Sequence, residues 1–412
     1  MQKRMPDNKL SLVSSVLIFL FSATLLMSGK SYSYIAIPLS VVGLLALPST
    51  LKKKLPSDFY KIGFALSGYF FVTALSLYWN GGEISNLDMP SRTIFILPAL
   101  IFLLSYPPKK EWIFKGILVG SFISGLIALY HQKILNIRAF SDFDYMVIQS
   151  GDMAMSLGIF SMVISLHYLK EKKTLLSLLA LTAAFLGILA SLLSGARGGW
   201  VITPFVLIGL LVINRHLISK KIVVGIVLAG IGLGSVSYNS VEKRVNQVFS
   251  NLNQSTEKNI ANTSSGARLE MWESGLYAFS SEPIFGIGYQ NRQHFNQKLV
   301  DNKLVDPIVL QFGRLHNSFI EELSIKGLIG IIALMFFFLG PMYLFLFRGN
   351  IKHNIFSQLG VVHITLVMGY CLTQNYINHH SGMLQYLMFI IIFYAMLDNE
   401  NSNLPPEKIK AQ

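Results

Sequence analysis

Long apolar runs separated by short polar interruptions make up most of the 412-residue chain. A helix that crosses a bilayer needs about 20 mainly apolar residues. Roughly twelve runs meet or approach that length, at 11–29, 33–50, 62–79, 92–106, 112–131, 149–168, 175–193, 199–214, 222–238, 327–347, 355–373 and 382–397. The pattern predicts an all-α polytopic membrane protein with about twelve transmembrane helices. The first run follows Lys3, Arg4 and Lys9, as a signal peptide would, but no small-residue cleavage site follows it, so it reads as a retained span.

One polar interruption is long. The chain therefore divides into spans one to nine (1–238), a large segment (239–326), spans ten to twelve (327–397) and a short tail (398–412). The large segment opens with "NLNQSTEKNIANTSSG", a solvated stretch. "ARLEMWESGLYAFSSEP" then turns amphipathic, with Leu269, Trp272, Leu276 and Phe279 at helical spacing. Such a helix can lie in the interface with its apolar face against lipid or against the bundle. "EPIFGIGYQN" reads as a turn rich in Pro and Gly, and "LHNSFIEELSIKGLIG" as a second helix running into span ten.

Composition agrees with the pattern. Apolar residues are 52% of the chain and charged ones 13%, against about a quarter charged in a soluble domain. The mean hydropathy is +0.51. The net charge of +13 could suggest a nucleic-acid partner, but its distribution argues against one. With the N-terminus inside, the cytoplasmic segments hold "LKKKLPSD", "PPKKE", "LKEKKT", "NRHLISKK" and "FRGNIKHN". The short segments opposite carry only Lys30, Arg92, Lys133, Arg138 and Arg197. The excess is a positive-inside signal, with both termini cytoplasmic and the large segment on the far side. Trp79, Trp112 and Trp200 fall at span ends, as an interfacial aromatic belt requires. Cys371 is the single cysteine, which rules out an intrachain disulfide and a cysteine zinc cage.

Candidate chemistry gathers on the far side. "SGARGGW" joins spans seven and eight in a tight connection, and its Arg197 stands among Gly195, Gly198 and Gly199. Glycines there would let backbone N–H groups approach a bound anion; the alternative is a snorkelling arginine at a helix end. Arg268 opens the amphipathic helix, where partial positive charge makes an arginine unfavourable unless an anion binds. Otherwise it pairs with Glu270 or Glu273. Arg314, His316 and Asn317 share one short turn before span ten. A histidine at a helix start is often only a capping residue, yet an imidazole can also accept a proton at neutral pH.

Other constellations carry less. "SGKS" lacks the upstream glycine of a phosphate loop, since that position is Thr24, so no ATP site is expected. Asp142 and Asp144 form a D-x-D of the type that can hold a divalent metal, or a pair of solvated loop acids. The adjacent His379 and His380 are poorly placed for joint metal binding, and Asp152 and His363 either line an interior cavity or pack as hydrogen-bonded residues.

"SGARGG", "SSGARLEMWESGLYAFSSEPIFGIGY" and "RLHNSFIEELSIKGLIG", in that order, resemble the O-antigen ligase (WaaL) family of the Wzy/WaaL superfamily of membrane glycosyltransferases, over about residues 150–345. The resemblance implies a metal-independent enzyme of the GT-C type, without cofactor, in a Gram-negative inner membrane with its active site facing the periplasm. Its ligase branch transfers O-antigen polysaccharide from undecaprenyl pyrophosphate to the outer core sugar of lipid A-core. Carried over, Arg197 and Arg268 match the pyrophosphate-binding arginines and His316 the essential histidine, with Arg314 and Asn317 in support. Some relatives carry an acid between the last two spans, where this chain has Gln374. The polymerase branch is the alternative. It often shows an Arg followed eleven positions later by Gly, which this chain lacks. A lipid-linked sugar transporter or an accessory subunit are the readings from other classes; the first wants ionisable groups near the membrane midplane.

Overall fold

A computed structural model describes residues 8–142, 144–217 and 265–403, together with Gly232, Ser235 and Glu242. The ninth expected span (222–238), the solvated stretch after it and the tail from 404 lie outside the described residues. The described chain forms α1 (Asn8–Thr24), α2 (Ser31–Thr50), α3 (Phe59–Asn80), α4 (Asp88–Phe95), α5 (Leu97–Ser105), α6 (Lys110–Lys133) and α7 (Val147–Lys170). It continues as α8 (Thr174–Ser194), α9 (Arg197–Ile213), α10 (Gly266–Ser281), α11 (Arg292–Asp301), α12 (Ser318–Arg348), α13 (Ile355–Cys371) and α14 (His380–Ser402). Among these residues, 8 helical stretches are long and apolar enough to cross a membrane, α4 and α5 counting as one. The shorter apolar helices α1, α9 and α13 accompany them. The protein is an all-α polytopic membrane protein.

The burial pattern follows from what surrounds each helix. In α14 both faces are covered: Met383, Tyr386, Phe389, Ile390 and Phe393 are all 0% exposed. Helix α7 is similarly enclosed, packing on α8, α9, α13 and α6. The outer helices instead turn large apolar side chains outward, including Leu45, Tyr78, Phe205 and Phe347. In water such faces would drive association, whereas in hydrocarbon they are solvated. The expected span 92–106 is two helices, because Pro98 has no N–H to continue α4 and instead sits in the first turn of α5.

Two groups of connections gather at opposite ends of the bundle. At one end Tyr145 donates to Leu26 O, Arg92 meets His380, and Asn80 Nδ2 donates to Phe285 O. At the other, Ser11 donates to Pro107 O, and Arg348 pairs with Asp58 and Asp398. The first end carries the expected site residues.

Helix α12 is broken at Gly327, whose φ of 62° and ψ of −154° are not helical. A break strands two carbonyls and two N–H groups, and each must find another partner. The segment 283–288 supplies all of them. Ile287 and Gly288 donate to Ser324 O and Ile325 O, while Leu328 and Ile329 donate to Pro283 O and Ile284 O. "EPIFGIGY" is thus a backbone insert into a helix break as well as a turn, and Trp79 at the end of α3 stacks on its Phe285.

The expected apolar face of α10 is turned outward at its leucines. Leu269 and Leu276 are exposed, and the buried face is Ala267, Met271, Ser274, Gly275 and Ala278. The small residues let α10 lie close on the 313–320 segment, where a side chain at Gly275 would meet Leu315 and Ile320. The large leucines are left to face outward.

Candidate active site

The turn "GRLHN" is shaped by a buried ion pair. Arg292, on α11, and Glu321, on α12, are 6% and 1% exposed and meet at 2.9 Å. Arg292 also donates to Gly313 O at 3.1 Å and to Ser324 Oγ at 3.2 Å, and Glu321 accepts from Leu315 N–H at 2.9 Å. The pair therefore grips the backbone on both sides of Arg314. From above, Trp272 of α10 donates its indole N–H to Leu315 O at 2.9 Å. Held at these points, the chain passes through a left-handed conformation at His316, with φ 51°. A non-glycine residue there costs free energy that the surrounding contacts must offset.

Asn317 begins α12. Its Oδ1 accepts from the N–H groups of Phe319 (2.9 Å) and Ile320 (3.2 Å), which makes it the helix cap. Arg314 donates to Asn378 O at 2.5 Å and so ties this turn to the connection between α13 and α14. From that connection, Gln374 brings its side-chain oxygen to 2.7 Å from Nδ1 of His316, and its Nε2 lies 3.5 Å from Nε2 of His379. His379 is held well below the ordinary histidine range, at about 4, by burial first and then by the charges of Arg314, His316 and His380. His380 points the other way, toward Arg92 and Asp88.

Arg197 is the first residue of α9. Gly195 before it takes the left-handed conformation that ends α8. Gly198 and Gly199 have a packing role. A side chain at Gly198 would strike Thr373 Oγ1, and one at Gly199 would crowd Met155 and Asp152. The Gly199 N–H is already donated to Asp152 Oδ1 at 3.1 Å. These glycines let α9 start tightly against α7 and Thr373, which puts the turn of Arg197 beside the connection that carries Gln374. Asp152 is fully buried and anchors that start.

Arg268 lies half-buried in the first turn of α10, and burial lowers its pKa. Among the described residues no carboxylate pairs with it: Glu270 accepts instead from Asp306 N–H at 2.8 Å. Arg268 and Trp272 are one helical turn apart on one face, about 6 Å along the axis. Arg268 therefore sits one turn from the residue that holds Leu315.

Other candidates fall elsewhere. Asp144 faces Lys30 at 3.8 Å, both side chains well exposed, and the residue between Asp144 and Asp142 lies outside the description. Among the described residues no group of three or more His, Cys, Asp and Glu is arranged to hold a metal ion. His363 packs among Phe160, Tyr386, Phe389 and Phe393 and donates to Tyr386 O, so it is a core residue rather than a cavity lining. Sequence reasoning missed Arg292 and Glu321. It also missed the neighbouring buried pair Lys326–Glu322 (2.8 Å), to which Tyr69 and Thr73 of α3 contribute hydrogen bonds. The available signal was "EELSIK", which puts two acids and a lysine in an apolar helix that leaves them no water.

The profile of the family described as O-antigen ligase (Wzy_C) matches residues 182–335, a range that holds Arg197, Arg268 and His316. An uncharacterized protein of Haemophilus influenzae is 35% identical over 398 residues, which is 94% of this chain and 99% of that protein. An O-antigen ligase of Escherichia coli is 28% identical over 281 residues, 66% of each chain. With the helical bundle, the order of the motifs and their meeting at one end of it, these similarities establish that the chain belongs to the O-antigen ligase family.

Proposed function

We propose that the protein is an inner-membrane glycosyltransferase of the GT-C type. It transfers O-antigen polysaccharide from undecaprenyl pyrophosphate to the outer core sugar of lipid A-core, on the periplasmic side and without a metal. The observation that carries this reading is the meeting of the Arg197 turn, Arg314 and His316 at the connection between α13 and α14, in a chain of this family.

The chemistry follows from the groups present. The donor carries its own leaving group, so no ATP is required. The acceptor hydroxyl oxygen forms a bond to the anomeric carbon as the bond from that carbon to the pyrophosphate oxygen breaks. The electron pair leaves with the pyrophosphate, and the hydroxyl proton passes to His316. Attack opposite the leaving group inverts the anomeric centre. Arg197 and Arg268 meet the charge that grows on the pyrophosphate, binding the transition state more tightly than the ground state. Both substrates are lipids, which accounts for a site at the end of a membrane bundle.

The test is transfer by purified protein in EDTA, with undecaprenyl-pyrophosphate-linked O-antigen and lipid A-core as substrates. Wild type is expected to glycosylate lipid A-core. His316→Ala is expected to lose a factor of about 10²–10⁴ in kcat, and Arg197→Ala about 10²–10³, both with unchanged thermal unfolding. Growth of the glycan on its undecaprenyl carrier would make the protein a polymerase. Loss of wild-type transfer in EDTA, restored by a divalent metal, would overturn the metal-free mechanism.

A further inference from the structure

Resting on that reading, we propose that Gln374 is a positioning residue that sets the tautomer of His316. Its side-chain oxygen takes the Nδ1 proton, so that Nε2 faces the acceptor hydroxyl as a bare lone pair. The 2.7 Å contact joins Nδ1 of His316 to the amide of Gln374. A neutral imidazole carries its proton on one nitrogen only, and an amide oxygen can only accept. Proton placement on Nδ1 therefore leaves Nε2 free to act as base. The opposite orientation, with the amide NH2 donating to Nδ1, puts the ring proton on Nε2 and abolishes the base.

Two features select the productive orientation. The first is chemical. Once His316 has taken the substrate proton, both ring nitrogens are donors. Only the amide oxygen accepts Nδ1–H before and after that event, and the reversed orientation would lose its bond in every cycle. The second is the far side of the amide. Its NH2 lies 3.5 Å from Nε2 of His379, a ring that burial and Arg314 keep uncharged and hence able to accept. Gln374 has little freedom to turn away: it is 4% exposed, its N–H donates to Tyr370 O, and its carbonyl accepts from Ser318 Oγ. The rings of Phe312 and His316 meet edge to face, their centroids 6.1 Å apart.

An amide here also leaves the imidazolium without a counter-charge at Nδ1. The charged and titratable groups on the elements that meet here are Arg314 on the turn of His316, His379 on the connection of Gln374, His380 at the start of α14, turned toward Arg92 and Asp88, Glu321 behind Leu315, and Arg197, whose neighbour Gly198 packs on Thr373.

The experiment compares Gln374→Leu, Gln374→Glu and wild type in the EDTA transfer assay across pH, together with the 15N spectrum of histidine-labelled wild type. Gln374→Leu is expected to lose roughly 10²-fold in kcat with little change in KM, since one hydrogen bond sets the ring's alignment. Gln374→Glu keeps an acceptor at Nδ1 and adds a negative charge that favours the imidazolium. Its acid limb in kcat/KM is expected to move up by about 1–3 pH units, with activity recovered on the alkaline side. The His316 resonances in wild type are expected to report Nδ1–H. A folded Gln374→Leu with wild-type kcat, an unshifted limb in Gln374→Glu, or an Nε2–H tautomer would each overturn the proposal. If Gln374→Leu does not fold, the spectrum and Gln374→Glu still decide. Loss of transfer in wild type, or full activity in His316→Ala, would instead defeat the reading on which this rests.

Discussion

At the scale of the residue, the strongest local constraint on the site is the Arg292–Glu321 pair, which touches no substrate in the proposed mechanism. Its two side chains hold Gly313 O and Leu315 N–H, so that Arg314 and His316 project from a backbone fixed on both sides. Removing one partner strands the other in a buried position, which costs about 3–5 kcal/mol. Arg292→Ala should therefore lower stability by about that amount in detergent. The double variant Arg292→Met with Glu321→Leu should recover part of it, because apolar replacement removes the stranded charge while Gly313 O and Leu315 N–H still lose their partners. Activity should stay low in both, since the grip on the turn is gone. Restored turnover in the double variant would show that the pair serves stability alone. His316 and Arg314 were legible from their clustering before an apolar run. Arg292 was not, because nothing in "YQNRQHF" distinguishes it from a surface arginine until Glu321 is found beside it.

At the scale of the element, the break in α12 decides where its first turns point. A Cβ at Gly327 would lie 2.4 Å from Ile284 O, and the φ of 62° is strained for any L side chain. Gly327→Ala should cost about 1–3 kcal/mol in backbone strain alone, and it should push the 283–288 segment out of the break. Gly209→Ala in α9 is the control, because a Cβ there meets nothing within 4 Å; it should leave stability unchanged or raised. Equal thermal unfolding of the two variants would refute the inserted-segment account. In the sequence, "LHNSFIEELSIKGLIG" reads as a helix running on into span ten; the break at Gly327 and its filling by 283–288 are a pairing between distant segments with no local signature.

At the scale of the whole molecule, the helices set lipid-facing surface and core by composition, while sidedness rests on where the lysines and arginines fall. The proposed topology, with both termini cytoplasmic, puts Lys303 outside and Lys172 inside; both are exposed. In a background lacking Cys371, Lys303→Cys should react with a membrane-impermeant maleimide in spheroplasts. Lys172→Cys should react only after permeabilisation. The reverse pattern would invert the topology and remove the site from the periplasm.

The sequence alone determined the class of protein, because burial in lipid demands apolar runs whose length and spacing are written linearly in the chain. It also singled out Arg197, Arg268, Arg314 and His316, since charged groups beside such runs stand out. Tertiary structure decided what each of them touches. It packed Gly198 and Gly199 against Thr373 and α7, made Asn317 a cap, and brought Gln374 to the histidine from 58 residues away. It also buried two ion pairs whose partners come from separate helices or successive turns. Those outcomes depend on which helices become neighbours, a relation set by packing across the whole bundle and carried by no short stretch of chain.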